Sequence, residues 1–268
     1  YVFMDSLIHK PYGIILVTGP TGSGKTTTLY ACLNRINTPD KNILTAEDPV
    51  EYELAGIHQL HVQSKIGLTF ASALRAFLRQ DPDVVMVGEI RDKETSEVAI
   101  NASLTGHLVL STIHTNDAAG AITRMVDMGV ETFLLRSSIV GILAQRLVRV
   151  LCPHCRVPYE AEDFELEELG LTAERRASRA ARTNNPNSRY YPRVVSEVDI
   201  LDQWSGRPIF YKAKGCDKCA NIGFSGRRGI YELMLMDDAI APLVLKAADA
   251  QTIKRKAIES GMDTMRDD

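Results

Sequence analysis

The sequence predicts an α/β protein with a mostly parallel sheet, a small four-cysteine subdomain and a helical C-terminal end. Three observations carry that prediction. Residues 1 to about 150 alternate short apolar runs with amphipathic helical patterns, as β–α–β units do when helices cover both faces of a parallel sheet. Gly19-Pro20-Thr21-Gly22-Ser23-Gly24-Lys25-Thr26 fits G-x-x-x-x-G-K-[ST], with a strand-like run before it and a helical run after it. Two C-x-x-C pairs, Cys152/Cys155 and Cys216/Cys219, bracket a stretch of different composition.

The elements follow in chain order. Ile14–Thr18, Asn42–Ala46, His58–Val62, Val84–Val87 and Leu108–Ile113 are apolar runs of strand length. A helix starts at Thr26. Phe70, Leu74, Phe77 and Leu78 recur at i, i+4, i+7 and i+8, one face of a second helix, and a third spans Lys93 to Ser103. Thr132 to Leu151 is long, apolar-periodic and helix-like, ending before Pro153. Beyond Cys152 the character changes. Glu160–Glu168 is acidic, Glu174–Arg182 is rich in Ala and Arg, and Thr183–Ser188 is a cluster of breakers, so the insert over about 160–205 reads as mobile. Order returns at Ile209–Lys214, Gly229–Leu235 reads as a strand, and small helices close the chain. The resulting division is 1–150 for the core, 151–228 for the cysteine subdomain and 229–268 for a C-terminal strand and helical segment.

Composition bounds what the chain can do. Its 268 residues, 45% hydrophobic and 24% charged, are those of an ordinary soluble globular protein large enough for more than one unit. A net charge of −3 provides no basic footprint for nucleic acid. No apolar run approaches the roughly 20 residues that span a bilayer, and no signal-peptide pattern opens the chain. A start at Tyr1 and an end at Met265-Arg266-Asp267-Asp268 read as those of a fragment of a longer protein. Five cysteines, four of them in C-x-x-C pairs, point to a metal site rather than disulfides in a chain of cytosolic character.

The glycine-rich loop carries the chemistry. In the loop Gly19, Pro20, Thr21, Gly22, Ser23 and Gly24, the backbone N–H groups of every residue but Pro20 are suited to wrap a nucleoside triphosphate's phosphates, and the helix N-terminus adds its own anion site. Lys25 reaches the β/γ oxygens, the Thr26 hydroxyl can ligate Mg²⁺, and Thr27 continues the motif. Hydrolysis also needs carboxylates. Asp83–Glu89 is a buried strand ending in an acid, a Walker B arrangement in which Gly88 stands where an aspartate is usual. Ala46-Glu47-Asp48-Pro49-Val50-Glu51-Tyr52 places further acids after a second strand; Glu51 reads as a solvated loop acid. Thr105–Asn116 sets His107 and His114 at either end of a strand, where a neutral imidazole can read a γ-phosphate.

These four blocks, in this order, resemble the secretion and pilus traffic ATPases: phosphate loop Gly19–Thr26, aspartate box Glu47–Tyr52, Walker B Asp83–Glu89 with Ile90-Arg91-Asp92, and histidine box Thr105–Asn116. The resemblance implies a RecA-like ATPase core in a hexameric ring, with ATP near subunit boundaries and arginines such as Arg75, Arg79 or Arg91 as candidates for phosphate or cross-subunit contacts. It implies Glu47 as the base that activates water, Glu89 as support for Mg²⁺, and His107 and His114 as the histidine-box residues. It further implies a cytoplasmic motor, peripheral to the inner membrane through platform proteins, without nucleic acid as a partner.

Cys152, Cys155, Cys216 and Cys219 supply four thiolates, enough for a closed tetrahedral Zn²⁺ site, although 60 residues (156–215) separate the pairs. His154, inside the first pair, is a spare ligand. The tetracysteine element is similar to that of the type II secretion and pilus-extension branches and absent from the retraction branch; Ala102–His107 and Asp127–Glu131 look closer to type II secretion. Pilus extension stays open, as do a DNA-translocating motor and a non-hydrolysing, nucleotide-gated assembly module.

Overall fold

The computed structural model describes residues 2–169 and 209–267. Most of the insert expected to be mobile therefore lies outside the described residues. The strands are β1 (Gly13–Thr18), β2 (Ile43–Glu47), β3 (His58–His61), β4 (Val84–Val87), β5 (Leu108–Ile113), β6 (Ile139–Leu151), β7 (Val157–Glu160), β8 (Ile209–Lys212) and β9 (Phe224–Leu235). The helices are α1 (Val2–Ile8), α2 (Lys25–Ile36), α3 (Phe70–Phe77), α4 (Lys93–Leu104), α5 (Ala118–Asp127), α6 (Thr132–Ser138), α7 (Asp163–Leu169), α8 (Ala241–Leu245) and α9 (Ala250–Glu259). Among the described residues no helix is long and apolar enough to cross a membrane.

A seven-stranded sheet in the order β3-β2-β4-β5-β1-β6-β9 forms the centre. Strands β1 to β6 run parallel and β9 closes the edge antiparallel to β6. Alternation sorts the strand residues onto two faces. Ile15, Val17, Ile43, Val84, Met86, Leu108 and Leu110 meet α2 through Leu29, Tyr30 and Leu33 on one face. On the other, Ile14, Leu16, Val109 and Ile113 pack with α4, α5 and α6, while Leu44, Ala46, Val85 and Val87 pack on α3.

Two expectations change here. Thr132–Leu151 is not one helix: α6 ends at Ser138 and the chain enters β6, thirteen residues long. Ile139, Ile142 and Ala144 are buried because this strand sits inside the sheet beside β1, a placement only tertiary pairing creates. The 229–268 segment is continuous with the core, since β9 completes the sheet and Ile240, Val244, Ile253 and Met262 join the larger apolar cluster.

Candidate functional site

The parallel strands deliver the predicted residues to their carboxyl edge, where ligands of open α/β sheets bind. Across that edge come Glu47 ending β2, Glu89 after β4, His114 after β5, the phosphate loop after β1, and Gln145 on β6. Strand β5 separates the loop strand from the Walker B strand, so the histidine box is the bridge between them. Thr18, at the end of β1, makes hydroxyl contacts with Thr115 Oγ1 (2.7 Å) and Thr115 N (2.9 Å), while Thr112 Oγ1 donates to Gly88 O (2.7 Å).

In the phosphate loop Gly19, Gly22 and Gly24 take φ values of 148°, 76° and 86°, and a Cβ at Gly19 would lie 2.3 Å from Gln145 O. Lys25 Nζ donates to Gly19 O (2.9 Å) and Pro20 O (3.1 Å), curling over the loop. Burial lowers the pKa of Lys25, and Glu89 works against that shift, so the two groups feel each other. Ser23 Oγ is buried with no hydrogen-bond partner, and nothing lies within 4 Å of a Cβ at Gly22. An orphaned hydroxyl, an open glycine and a lysine folded over the loop together form a cradle that fits a polyphosphate.

Glu89, 15% exposed, sits between Arg91 Nη2 (2.7 Å) and His114 Nε2 (3.2 Å). Arg91 is thus committed to Glu89, and Arg75 pairs with Glu94 at 2.8 Å in an exposed contact; Arg79 is exposed. Asp92, the last residue of the Walker B block, serves as a helix cap, accepting from Thr95 N at 2.8 Å. At Gly88, where an aspartate is usual in a Walker B strand, a Cβ would meet Ala46 O at 3.2 Å and Glu47 Cα at 3.4 Å.

Glu47 is 2% exposed. Tyr30 donates to its Oε2, while Thr45 Oγ1 and Gln59 Nε2 (3.1 Å) donate to its Oε1. Glu51, in the same box, is exposed, and its backbone N lies 3.3 Å from the Tyr30 hydroxyl.

The structure does not bring His107 to the others. It precedes β5, at the amino edge of the sheet, where its carbonyl accepts from Gly13 N (3.2 Å) and its Nδ1 lies 2.9 Å from Ala102 O. A strand's length, about 20 Å at roughly 3.3 Å per residue, parts it from His114.

Sequence reasoning missed Gln145 and Tyr30. Buried on β6, Gln145 donates from Nε2 to Ser23 O (2.7 Å) and accepts from Thr28 Oγ1 (2.8 Å), gripping both ends of the loop–helix junction.

The cysteine pairs converge beyond the sheet. β6 and β9 run on as a two-stranded ribbon, Cys152 follows β6, and Cys152 N donates to Gly223 O at 2.9 Å. The four Sγ atoms all lie within 4.8 Å of one another, with Cys155–Cys219 and Cys216–Cys219 at 3.8 Å. Zn–S bonds of about 2.3 Å would set tetrahedral sulfurs about 3.8 Å apart, so the cluster fits a four-thiolate ion. Burial works to raise Cys219, but amide donation from Cys216 and Gly223 and donation from the Cys216 and Cys155 thiols outweigh it and bring the thiol down to about 7. His154 is exposed beside a set already complete with sulfur.

Fold and site together define a P-loop nucleotide-binding protein of the α/β class. The family described as type II/IV secretion system protein matches residues 3–268, and the chain belongs to that family. Its relatives include the type II secretion system protein E of Pseudomonas aeruginosa, 52% identical over 265 residues, covering 99% of this chain and 46% of that protein. The type II secretion system ATPase E of Vibrio cholerae is 50% identical over 263 residues (98% and 46%), and the type IV pilus assembly ATPase PilB of Thermus thermophilus 48% over 262 (98% and 26%). The chain thus spans about half the length of the type II relatives it matches. Among solved structures, the pilus retraction motor PilT with bound ADP superposes with a TM-score of 0.60 at 28% identity, covering 99% of this chain and 57% of that one.

Proposed function

We propose that this chain is the ATP-hydrolysing core of a type II secretion motor, working as a cytoplasmic hexameric ring held at the inner membrane by platform proteins and powering pseudopilus assembly and protein export. The observation that supports this most is the shared edge: phosphate loop, Glu89 and His114 end neighbouring strands, and Lys25 and Glu89 lie within each other's field. In this reading Gly19–Thr27 cradle the phosphates, Lys25 leaves the loop carbonyls for the β/γ oxygens, and Thr26 with Glu89 would hold Mg²⁺. Bound there, such an ion would supply positive charge to the phosphates. His114, whose Nε2 lies 3.2 Å from Glu89 Oε1, reports the γ-phosphate to the histidine-box loop. Cys152, Cys155, Cys216 and Cys219 hold a structural zinc. Pilus extension is the near alternative, supported by the pilus-assembly relative at 48% identity.

Glu47 is the assigned base, and with both oxygens taken by donors it must exchange one of them for water; Gln59, at 3.1 Å, is the one on the edge strand. A second assignment is favoured by exposure: Glu51 has open access to a water in the same box. Phosphate release in the assembled protein tests both. Lys25→Ala is expected to abolish turnover, and wild-type turnover there would sink the reading. Glu47→Gln falling further than Glu51→Gln assigns the base to Glu47; the reverse order moves it to Glu51. Turnover that requires single-stranded DNA would favour a DNA-translocating motor instead.

A further inference from the structure

We propose that Tyr30 is a positioning residue for the hydrolytic step, its hydroxyl coupling the phosphate-loop helix to the acids of the aspartate box. This rests on the ATPase reading above and holds whichever of Glu47 and Glu51 is the base. Helix α2 begins at Lys25, and Tyr30 lies five residues on, about 7 Å along the same rigid axis. Its ring is fully buried against aliphatic neighbours, a place that a phenylalanine would fill equally well. The hydroxyl is what differs, and every partner it has belongs to the aspartate box or faces it. It donates to Glu47 Oε2 and accepts from Gln59 Nε2 (3.3 Å) and Glu51 N (3.3 Å), which fills its one donor and two acceptor sites.

The ring adds a second hold on the same loop. Tyr52 meets it edge-to-face, with centroids 4.7 Å apart at 84°. Burial, and then the Glu47 carboxylate, push the phenol up to about 12, so it stays a neutral donor throughout the physiological range. A displacement of α2 when Lys25 takes hold of phosphate is therefore delivered, through one rigid turn and a half, to the carboxylate of Glu47 and the backbone of Glu51. Glu47 keeps Thr45 and Gln59 as donors, but both come from β-strands, and among the described residues Tyr30 is the donor that ties the acid to the helix following the phosphate loop.

Tyr30→Phe keeps the ring and deletes the hydroxyl. Losing one hydrogen bond to a charged group predicts a kcat lower by about tenfold to a hundredfold. The KM for ATP and the Kd for a fluorescent ADP analogue are expected to stay within about twofold of wild type, because the phosphate loop is untouched. Tyr12→Phe, an exposed change before β1, is the control and leaves both constants unchanged. Wild-type kcat in Tyr30→Phe overturns the proposal, as does a loss shared by kcat, ADP affinity and melting temperature, which is the mark of a merely structural residue. Should Tyr30→Phe not fold, Tyr30→Met fills the same buried site without a hydroxyl; it is expected to show the same split, and wild-type kcat there overturns the proposal too. An inactive Lys25→Ala beside an unimpaired Tyr30→Phe rejects the positioning role and keeps the ATPase; an active Lys25→Ala rejects the ATPase itself.

Discussion

Position 88 limits how closely the ends of β2 and β4 approach. The Ala46 carbonyl accepts from Gly88 N at 2.8 Å, and any Cβ at 88 would press on Ala46 O at 3.2 Å. Gly88→Ala is therefore expected to destabilise the fold by about 1–3 kcal/mol, read as a lower urea midpoint with unchanged slope. The sequence shows a glycine where an aspartate is usual; the carbonyl that a side chain there would meet comes from another strand, which no local pattern reveals. Gln145 is hidden in the same way, because its partner Ser23 is 122 residues away in the chain. Gln145→Leu leaves Ser23 O and the Thr28 hydroxyl unpaired, and about a tenfold weaker ATP affinity is expected in a fluorescence titration, with turnover at saturation less affected. Phosphate-loop residues were legible because one short segment supplies them all. The neighbours that hold the loop were not, because they come from distant strands.

Elements show the same division between local and tertiary information. Strands β1, β4 and β5 read directly from their apolar runs, each fully buried and of ordinary strand length. β6 did not, since an apolar run of that length reads as helix until its partners β1 and β9 are known. The C-terminal helices likewise gave no hint of how they attach. Lys254 on α9 meets Glu232 of β9 at 3.2 Å and Asp117, the α5 cap, at 3.1 Å, and Glu232 is 1% exposed and accepts from Ala118 N at 3.0 Å. Because Asp117 follows Thr115 and Asn116, this ion pair anchors the histidine-box loop to the end of the chain. Lys254→Ala strands a buried carboxylate, and a loss of about 3–5 kcal/mol in urea unfolding is expected. Burial works to lower the Lys254 pKa, but Glu232 and Asp117 prevail and raise it. Its contribution is then complete below the ordinary lysine value and fades only as pH climbs past the raised one. The deficit should thus be level from about pH 7 to about pH 9; one that shrinks across that window would contradict the pairing.

At the scale of the whole molecule, the acids and the loop lie in a row along one open sheet edge, and among the described residues three arginines that could meet a γ-phosphate already have partners. Arg91 is paired with Glu89, Arg75 with Glu94, and Arg146 Nη2 lies 3.4 Å from Asn116 Oδ1. An arginine that stabilises transition-state charge on a γ-phosphoryl group is worth about 10³–10⁵ in rate where it has been removed or supplied. The resemblance implies an ATP site near a subunit boundary, and in the proposed ring such a boundary would complete the open row; a neighbour's contribution leaves no mark in the local patterns of one chain. If the ring reading holds, specific activity is a property of assembly. Phosphate release per chain should rise with protein concentration and level off as sedimentation shows the ring filling. Adding inactive Lys25→Ala chains should then lower the rate by more than dilution accounts for, because each inactive neighbour also disturbs an active one. A specific activity independent of concentration, together with a strictly proportional loss on mixing, would mean that each chain completes its own site, and the search for the missing cation would return to Arg91 and its exchange from Glu89.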